Sequence, residues 1–311
     1  MSSKGDLIRQ LTAIMVAVLM LVAWQASGDA LLLFPELGAL CVGLLVMDKN
    51  VWHVSKLMCL FVMSLASAIG VAAHLYLGSF GIWLTVPATL LVSGLMLVSL
   101  RAQLPPALGA ALLPVILRIA SWRYVAIVAL MVLIVLLVQW ILELSRARSF
   151  QIPMLKPRAE KNEVVGFRRM GILLLCTIPL CAAAWLSGWI YLVAPSVIVT
   201  LLEFSHGASG FRNRPWQVLF MLFYGAGAGA AFIVICQSLG FGLFWAGILT
   251  LLAMVLMFAL FRKTYAPALS VALLALLVPA ADIWTFPAQV ALGSAYAILA
   301  ASIPGLILNK N

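Results

Sequence analysis

Apolar runs separated by short polar or turn-forming stretches divide the first part of the chain into six segments, near residues 7–26, 31–47, 57–77, 82–100, 105–117 and 124–142. None shows the strict alternation of a half-buried strand, and their lengths predict helices. Stretches such as 11–22, 124–142 and 241–261 approach or reach the roughly 20 apolar residues that cross a bilayer as a helix. A polar stretch, 143–169, holds Pro153, Pro157 and a large share of the charge and interrupts the pattern. The expected organisation is a first membrane repeat over 1–145, a cytoplasmic linker over 146–168 and a second membrane repeat over 169–311. The fold class is all-α: a polytopic membrane protein of two parallel tandem repeats, each with about six membrane segments including short half-helices.

The second half echoes the first at a shift of about 161 residues. Pro106-Ala107-Leu108 with Ala111-Leu112-Leu113 reads against Pro267-Ala268-Leu269 with Ala272-Leu273-Leu274. Arg101 falls on Arg262 and Phe80-Gly81 on Phe241-Gly242, while Phe34-Pro35 falls on Ala194-Pro195 one residue earlier. Several features at nearly one shift point to duplication.

Composition strengthens the membrane reading. The 311 residues are 65% hydrophobic and only 9% charged, with a mean hydropathy of +1.17, against about 25% charge in a soluble domain. The net charge of +10 is spread between apolar segments, without the aromatic-interleaved basic surface that stacks bases, so nucleic acid is not an expected partner. Cys41, Cys59, Cys176, Cys181 and Cys236 all lie in apolar stretches without metal-ligand spacing, so no disulfide framework, metal or cofactor is expected. The first apolar run lacks a small-residue cleavage site before a polar domain and is read as a membrane helix, not a signal peptide. With a cytoplasmic N-terminus and one crossing per segment, 17 of the 19 Lys and Arg fall on the cytoplasmic side, leaving Arg118 and Arg123 outside. Both termini are then cytoplasmic, in the plasma or inner membrane.

Two segments per repeat are too short to cross. Residues 35–47 and 106–118 run about 20 Å each as helix, and each begins at proline, which suits a first helical turn. They read as half-helices running in opposite directions, with N-termini meeting at mid-depth where free amides and helix dipoles favour an anion. The candidate substrate-binding residues follow: Pro35, Glu36, Gly38, Arg101, Pro105, Pro106 and Gly109, with Pro195, Ser196, Arg262, Pro267 and Ser270 from the second repeat. Glu36 has no acidic counterpart, since Ser196 holds its place. Glu203, His74 and His206 are expected near the interfaces, and Gly225, Gly227 and Gly229 form a small-residue stripe for helix packing.

These motifs give the chain a resemblance to the HPP family of integral membrane proteins, named for a His-Pro-Pro motif. The resemblance rests on Phe34-Pro35-Glu36-Leu37-Gly38-Ala39, then Lys49-Asn50, then Leu104-Pro105-Pro106-Ala107-Leu108-Gly109-Ala110-Ala111, with Arg212-Asn213 and Tyr265-Ala266-Pro267-Ala268-Leu269-Ser270-Val271-Ala272 in the second half. Leu104 and Tyr265 stand where that family has its histidine. Some members of the family are linked to nitrite transport, so the resemblance implies a small-anion transporter.

The expected function is thus a transporter or channel for a small, anionic solute such as nitrite or a carboxylate, with its site at the midplane. Expected partners are the lipid bilayer, the small-molecule solute and further copies of the chain in a homo-oligomer. The alternatives are a non-transporting membrane partner that docks a soluble protein on the basic linker and, behind it, a membrane-embedded lipid enzyme. The enzyme reading is disfavoured because the sequence has no HExxH, no G-x-S-x-G and no clustered acids.

Overall fold

A computed structural model describes residues 4–48, 51–52, 54–149, 167–205 and 211–308. The first half contains α1 (Lys4–Ser27), α2 (Glu36–Leu40, continued by the wider π-helical turn Cys41–Val46), α3 (Lys56–Leu77), α4 (Ile82–Ser99), α5 (Pro106–Ile116) and α6 (Arg123–Leu144). The second contains α7 (Phe167–Ser187), α8 (Pro195–Ser205), α9 (Pro215–Ser238), α10 (Leu243–Phe261), α11 (Ala266–Leu274, continued by Ala275–Leu277) and α12 (Phe286–Leu308). Eight of these are long and apolar enough to cross a bilayer, and four runs are shorter: Ala30–Val46, Pro106–Ile116, Ile190–Ser205 and Ala266–Leu277. Long, short, long, long, short, long is the order in each half. The chain is an all-helical, multi-pass membrane protein.

Side-chain pairs fix which helix ends lie together. Arg9 of α1 donates to the carbonyls of Val46 (3.0 Å) and Ala147 (2.9 Å) and pairs with Asp6 and Asp48. Lys56 at the start of α3 reaches Glu143 at the end of α6 (2.5 Å), and Arg148 lies against the same carboxylate. The start of α1, the end of the α2 run, the start of α3 and the end of α6 therefore share one face. At the other face Arg123, opening α6, pairs with Asp29 just beyond α1 (2.6 Å). The first half thus crosses an even number of times, and residues 146–149 return to the face of the N-terminus. The rest of the linker, 150–166, with its basic residues Lys156, Arg158 and Lys161, lies outside the described residues, as does His206.

The outer surface is built for lipid. Along α1, Leu7, Leu11, Met15, Leu19 and Val22 form one exposed stripe, while Ala13, Val16, Ala17 and Met20 turn inward. Exposed Trp122, Trp140, Trp185, Trp216 and Trp284 lie at or near helix ends, the places aromatic residues take at membrane interfaces. Inside, the short helices lean on glycines of their long neighbours. A Cβ at Gly70 of α3 would lie 2.1 Å from the Ala111 carbonyl oxygen of α5; at Gly225 and Gly229 of α9 it would lie 2.7 and 2.5 Å from α11. Gly227, placed with them in the expected stripe, faces open space. Pairings between the halves are reciprocal: α2 packs on α11 and α5 on α8, α1 on α10 and α4 on α7.

Gly70→Ala is expected to lower stability by about 1–3 kcal/mol, because the obstacle is backbone and α5 must shift. Gly227→Ala should be neutral or stabilising by up to about 1 kcal/mol from helix propensity alone. Thermal unfolding in detergent distinguishes the two. At the polar end, a 2.7 Å hydrogen bond from the Ser149 hydroxyl and a second from its amide hold the Asp48 carboxyl below the ordinary aspartate range, with Arg9 and Arg148 assisting. A carboxyl depressed in the folded state stabilises above its unfolded pKa and loses that contribution as pH falls through the folded value. Hydrogen exchange at the Ser149 amide should therefore speed up only below the ordinary aspartate range, and Asp48→Asn should remove that acid transition.

Candidate functional site

Four approach segments break the helical ladder before the short helices. Each carries buried backbone, at Leu33 and Phe34, Ala102 and Leu104, Val193 and Ala194, and Tyr265. Proline then restarts the helix where a missing N–H costs nothing: Pro35 caps α2, Pro105 and Pro106 open α5, Pro195 opens α8, and Pro267 lies in the first turn of α11. Opposed directions follow from the end contacts. The α2 run finishes beside Arg9, whereas α5 leads to Arg118, whose charge acts on His74 near the end of α3.

The first turns converge on one small cavity. From the first half it is walled by Glu36 and Ala39 of α2 and by Pro106 and Gly109 of α5; from the second half by Pro195, Ser196 and Val199 of α8 and by Pro267 and Ser270 of α11. Its volume is about 10 Å³, close to the least that holds one water. Glu36 is 2% exposed and its side chain leans on Gly109, where a Cβ would lie 2.8 Å from the carboxylate arm. Neither carboxyl oxygen of Glu36 has a hydrogen-bond partner, and the Ser196 hydroxyl, also 2% exposed, has none. Buried polar atoms are nearly always paired, since an orphaned one costs kilocalories. Two orphans on one cavity wall, one from each half, make it the candidate site.

Seven of the expected residues thus meet: Glu36, Pro106, Gly109, Pro195, Ser196, Pro267 and Ser270. Pro35 and Pro105 cap their helices behind the cavity wall. Gly38 faces away from the cavity, with Leu269 and Leu273 of α11 within 3.0 Å of its would-be Cβ. Arg101 and Arg262 are both exposed and stand at φ 51°, ending α4 and α10 in left-handed turns. The amides that follow them, of Ala102 and Lys263, close back on Leu97 and Phe258, the Schellman pattern that glycine usually serves. Neither arginine belongs to the cavity wall, and their charge complements a helix C-terminus.

The amides expected to greet a solute are also largely used. Ala107 and Leu108 donate to Leu104 and Pro105, Val197 and Ile198 to Ala194, and Ala268 to Tyr265. What the short helices offer the cavity is the field of their aligned dipoles plus side-chain oxygens.

Five wall residues were not among the candidates: Ala39, Val199 and Ala266, which are small or apolar, and Glu203 and Trp52. Glu203, expected at an interface, is half-buried and lines the cavity, within hydrogen-bond reach of Tyr265. The Tyr265 hydroxyl also donates to Thr200 (3.0 Å). Ser196, Thr200 and Glu203, spaced four and three apart, make one polar face of α8 that the helical period alone could have revealed. Trp52 seals the remaining side from a non-helical connection, its ring lying where a Cβ on Gly43 would stand. No sequence signal placed it there. Among the described residues no group of three or more His, Cys, Asp or Glu is arranged to hold a metal ion, and all five cysteines are free.

A left-handed backbone costs a non-glycine residue about 1–2 kcal/mol. Arg262→Gly should therefore melt at or above the parent temperature and Arg262→Val below it. Arg101→Gly and Arg101→Val should part in the same order, since Arg101 ends α4 at the same angle.

No family model, no curated protein and no solved structure matches the chain.

Proposed function

We propose that the chain is a carrier that passes a small anionic solute, of the nitrite or carboxylate kind, across a plasma or inner membrane with both termini in the cytoplasm. The observation that carries this reading is the orphaned pair, Glu36 and Ser196, at the meeting of short helices from both halves. Broken helices inside a membrane are tolerated where they line a solute site. The first turns of α5, α8 and α11 bring three positive dipole ends to the cavity wall. The motif-level resemblance to the HPP family agrees with a small anion. In this reading the chain is not an enzyme, and the duplicated halves move against each other around a fixed site.

A cavity of about 10 Å³ holds no carboxylate, so the described conformation is occluded and the wall must open. Trp52 is the wall residue held by no helix, which makes it the favoured gate on the face of the N-terminus.

In a cysteine-free background, Ser196→Cys should resist a membrane-impermeant thiol reagent and become reactive when Trp52→Ala is added. Purified protein in liposomes should take up labelled nitrite, acetate or lactate faster than empty vesicles. Uptake indistinguishable from empty vesicles across that panel would remove the carrier reading.

A further inference from the structure

We infer that the carrier is a proton–anion symporter in which the Glu36 carboxyl holds the coupling proton; this rests on the carrier reading above. The cavity wall has two carboxyls, Glu36 and Glu203, and no basic side chain. An anion entering beside an ionised Glu36 would meet a like charge at close range in a low-dielectric setting, which opposes binding. The dipole ends of α5, α8 and α11 cannot serve both charges at once. Neutralising Glu36 frees that field for the solute. The two sites are then linked, and each ligand raises the affinity for the other by the same factor.

The groups packed around Glu36 leave a proton as the fitting neutraliser. From α5 it meets Pro106 and Gly109, neither titratable. From α6 comes Tyr124, whose hydroxyl is already given to the Ala110 carbonyl (3.1 Å). From α8 come Ser196 and Glu203, and the segment before α11 supplies Tyr265, engaged with Thr200. Cys41, on the continuation of α2, is a buried free thiol. Two cations at the far end of the α2 run, Arg9 and Arg148, are bound to the carbonyls of Val46 and Met47, ten or more residues and about 15 Å of helix from Glu36. The orphaned oxygens on the wall, two from Glu36 and one from Ser196, are too few to replace the hydration shell of a metal cation. Protonation forms one O–H bond on the carboxylate and release breaks it on the opposite side, with no electron transferred. One proton moving with one monovalent anion carries no net charge.

The test uses the full chain in liposomes with a trapped pH dye and labelled nitrite, acetate and lactate. An inward proton gradient should drive accumulation of the transported anion, with acidification inside at one proton per anion and no response to a potassium diffusion potential. Glu36→Gln fixes the neutral form, so it should lose gradient-driven accumulation and acidification, and whatever anion movement it retains should no longer depend on pH. Glu36→Asp should keep both with a displaced pH profile, which guards against a Gln variant that fails to fold. Glu203→Gln, whatever its rate, should keep the ratio of one proton per anion. Infrared difference spectra on a pH change should show a protonated-carboxyl band that Glu36→Gln removes.

Anion uptake without acidification in the parent, a sodium gradient in place of a proton gradient, or coupling lost in Glu203→Gln but kept in Glu36→Gln would each overturn the proposal while leaving the carrier intact. If no anion moves at all, the carrier reading fails, and a missing infrared band then overturns proton binding independently.

Discussion

A backbone amide or carbonyl inside hydrocarbon has no water to turn to, and this single constraint organises the molecule. Long helices satisfy it alone. The short runs cannot, because each is preceded by an irregular segment with buried backbone. Such segments survive only when protein encloses them, and the enclosure here is tight. Gly70, Gly225 and Gly229 let α3 and α9 lie directly on the backbone of α5 and α11, and Gly293 of α12 lies within 2.3 Å, at a would-be Cβ, of the Leu192 carbonyl before α8. Broken helices inside, glycine-bearing helices around them and leucine-rich faces outward follow as one solution.

The sequence pattern carried the element order well because hydrophobic length is a one-dimensional property. Proline positions announced the short helices, and Glu36, Ser196, Gly109 and Ser270 were legible as first-turn residues of segments too short to cross. Arg101 and Arg262 lie off the cavity wall and end their helices at φ 51°, a placement that a one-dimensional pattern does not distinguish from a basic residue facing a cavity. Trp52 was invisible because it reaches the cavity from a connection whose path no period describes. Glu203 was hidden by its position near the end of α8, although its spacing from Ser196 was helical.

A shared design with unequal contents also explains why the polar end cluster does not obscure the site. Glu143 is fully buried yet carries Lys56, Arg148 and the Gln139 amide. A buried carboxylate so surrounded is satisfied, and removing one partner would be costly. Glu36 is equally buried and has no such company. The contrast between two inward carboxyls of one chain, one fully bonded and one bare, separates a structural ion pair from a binding group more sharply than burial alone.

The difference between the halves then sets the charge on the cavity wall. Were Ser196 also an acid, a third carboxyl would join Glu36 and Glu203 on one small cavity wall, and like charges at such range cannot all ionise. Their protons would belong to the cluster, released in coupled steps. With serine in the second half, a single carboxyl faces the dipoles of three helices, and Glu203 is set apart by its bond to Tyr265. The two halves together supply the enclosure and its opposed helices, and serine rather than an acid at position 196 leaves Glu36 as the bare carboxyl on the wall.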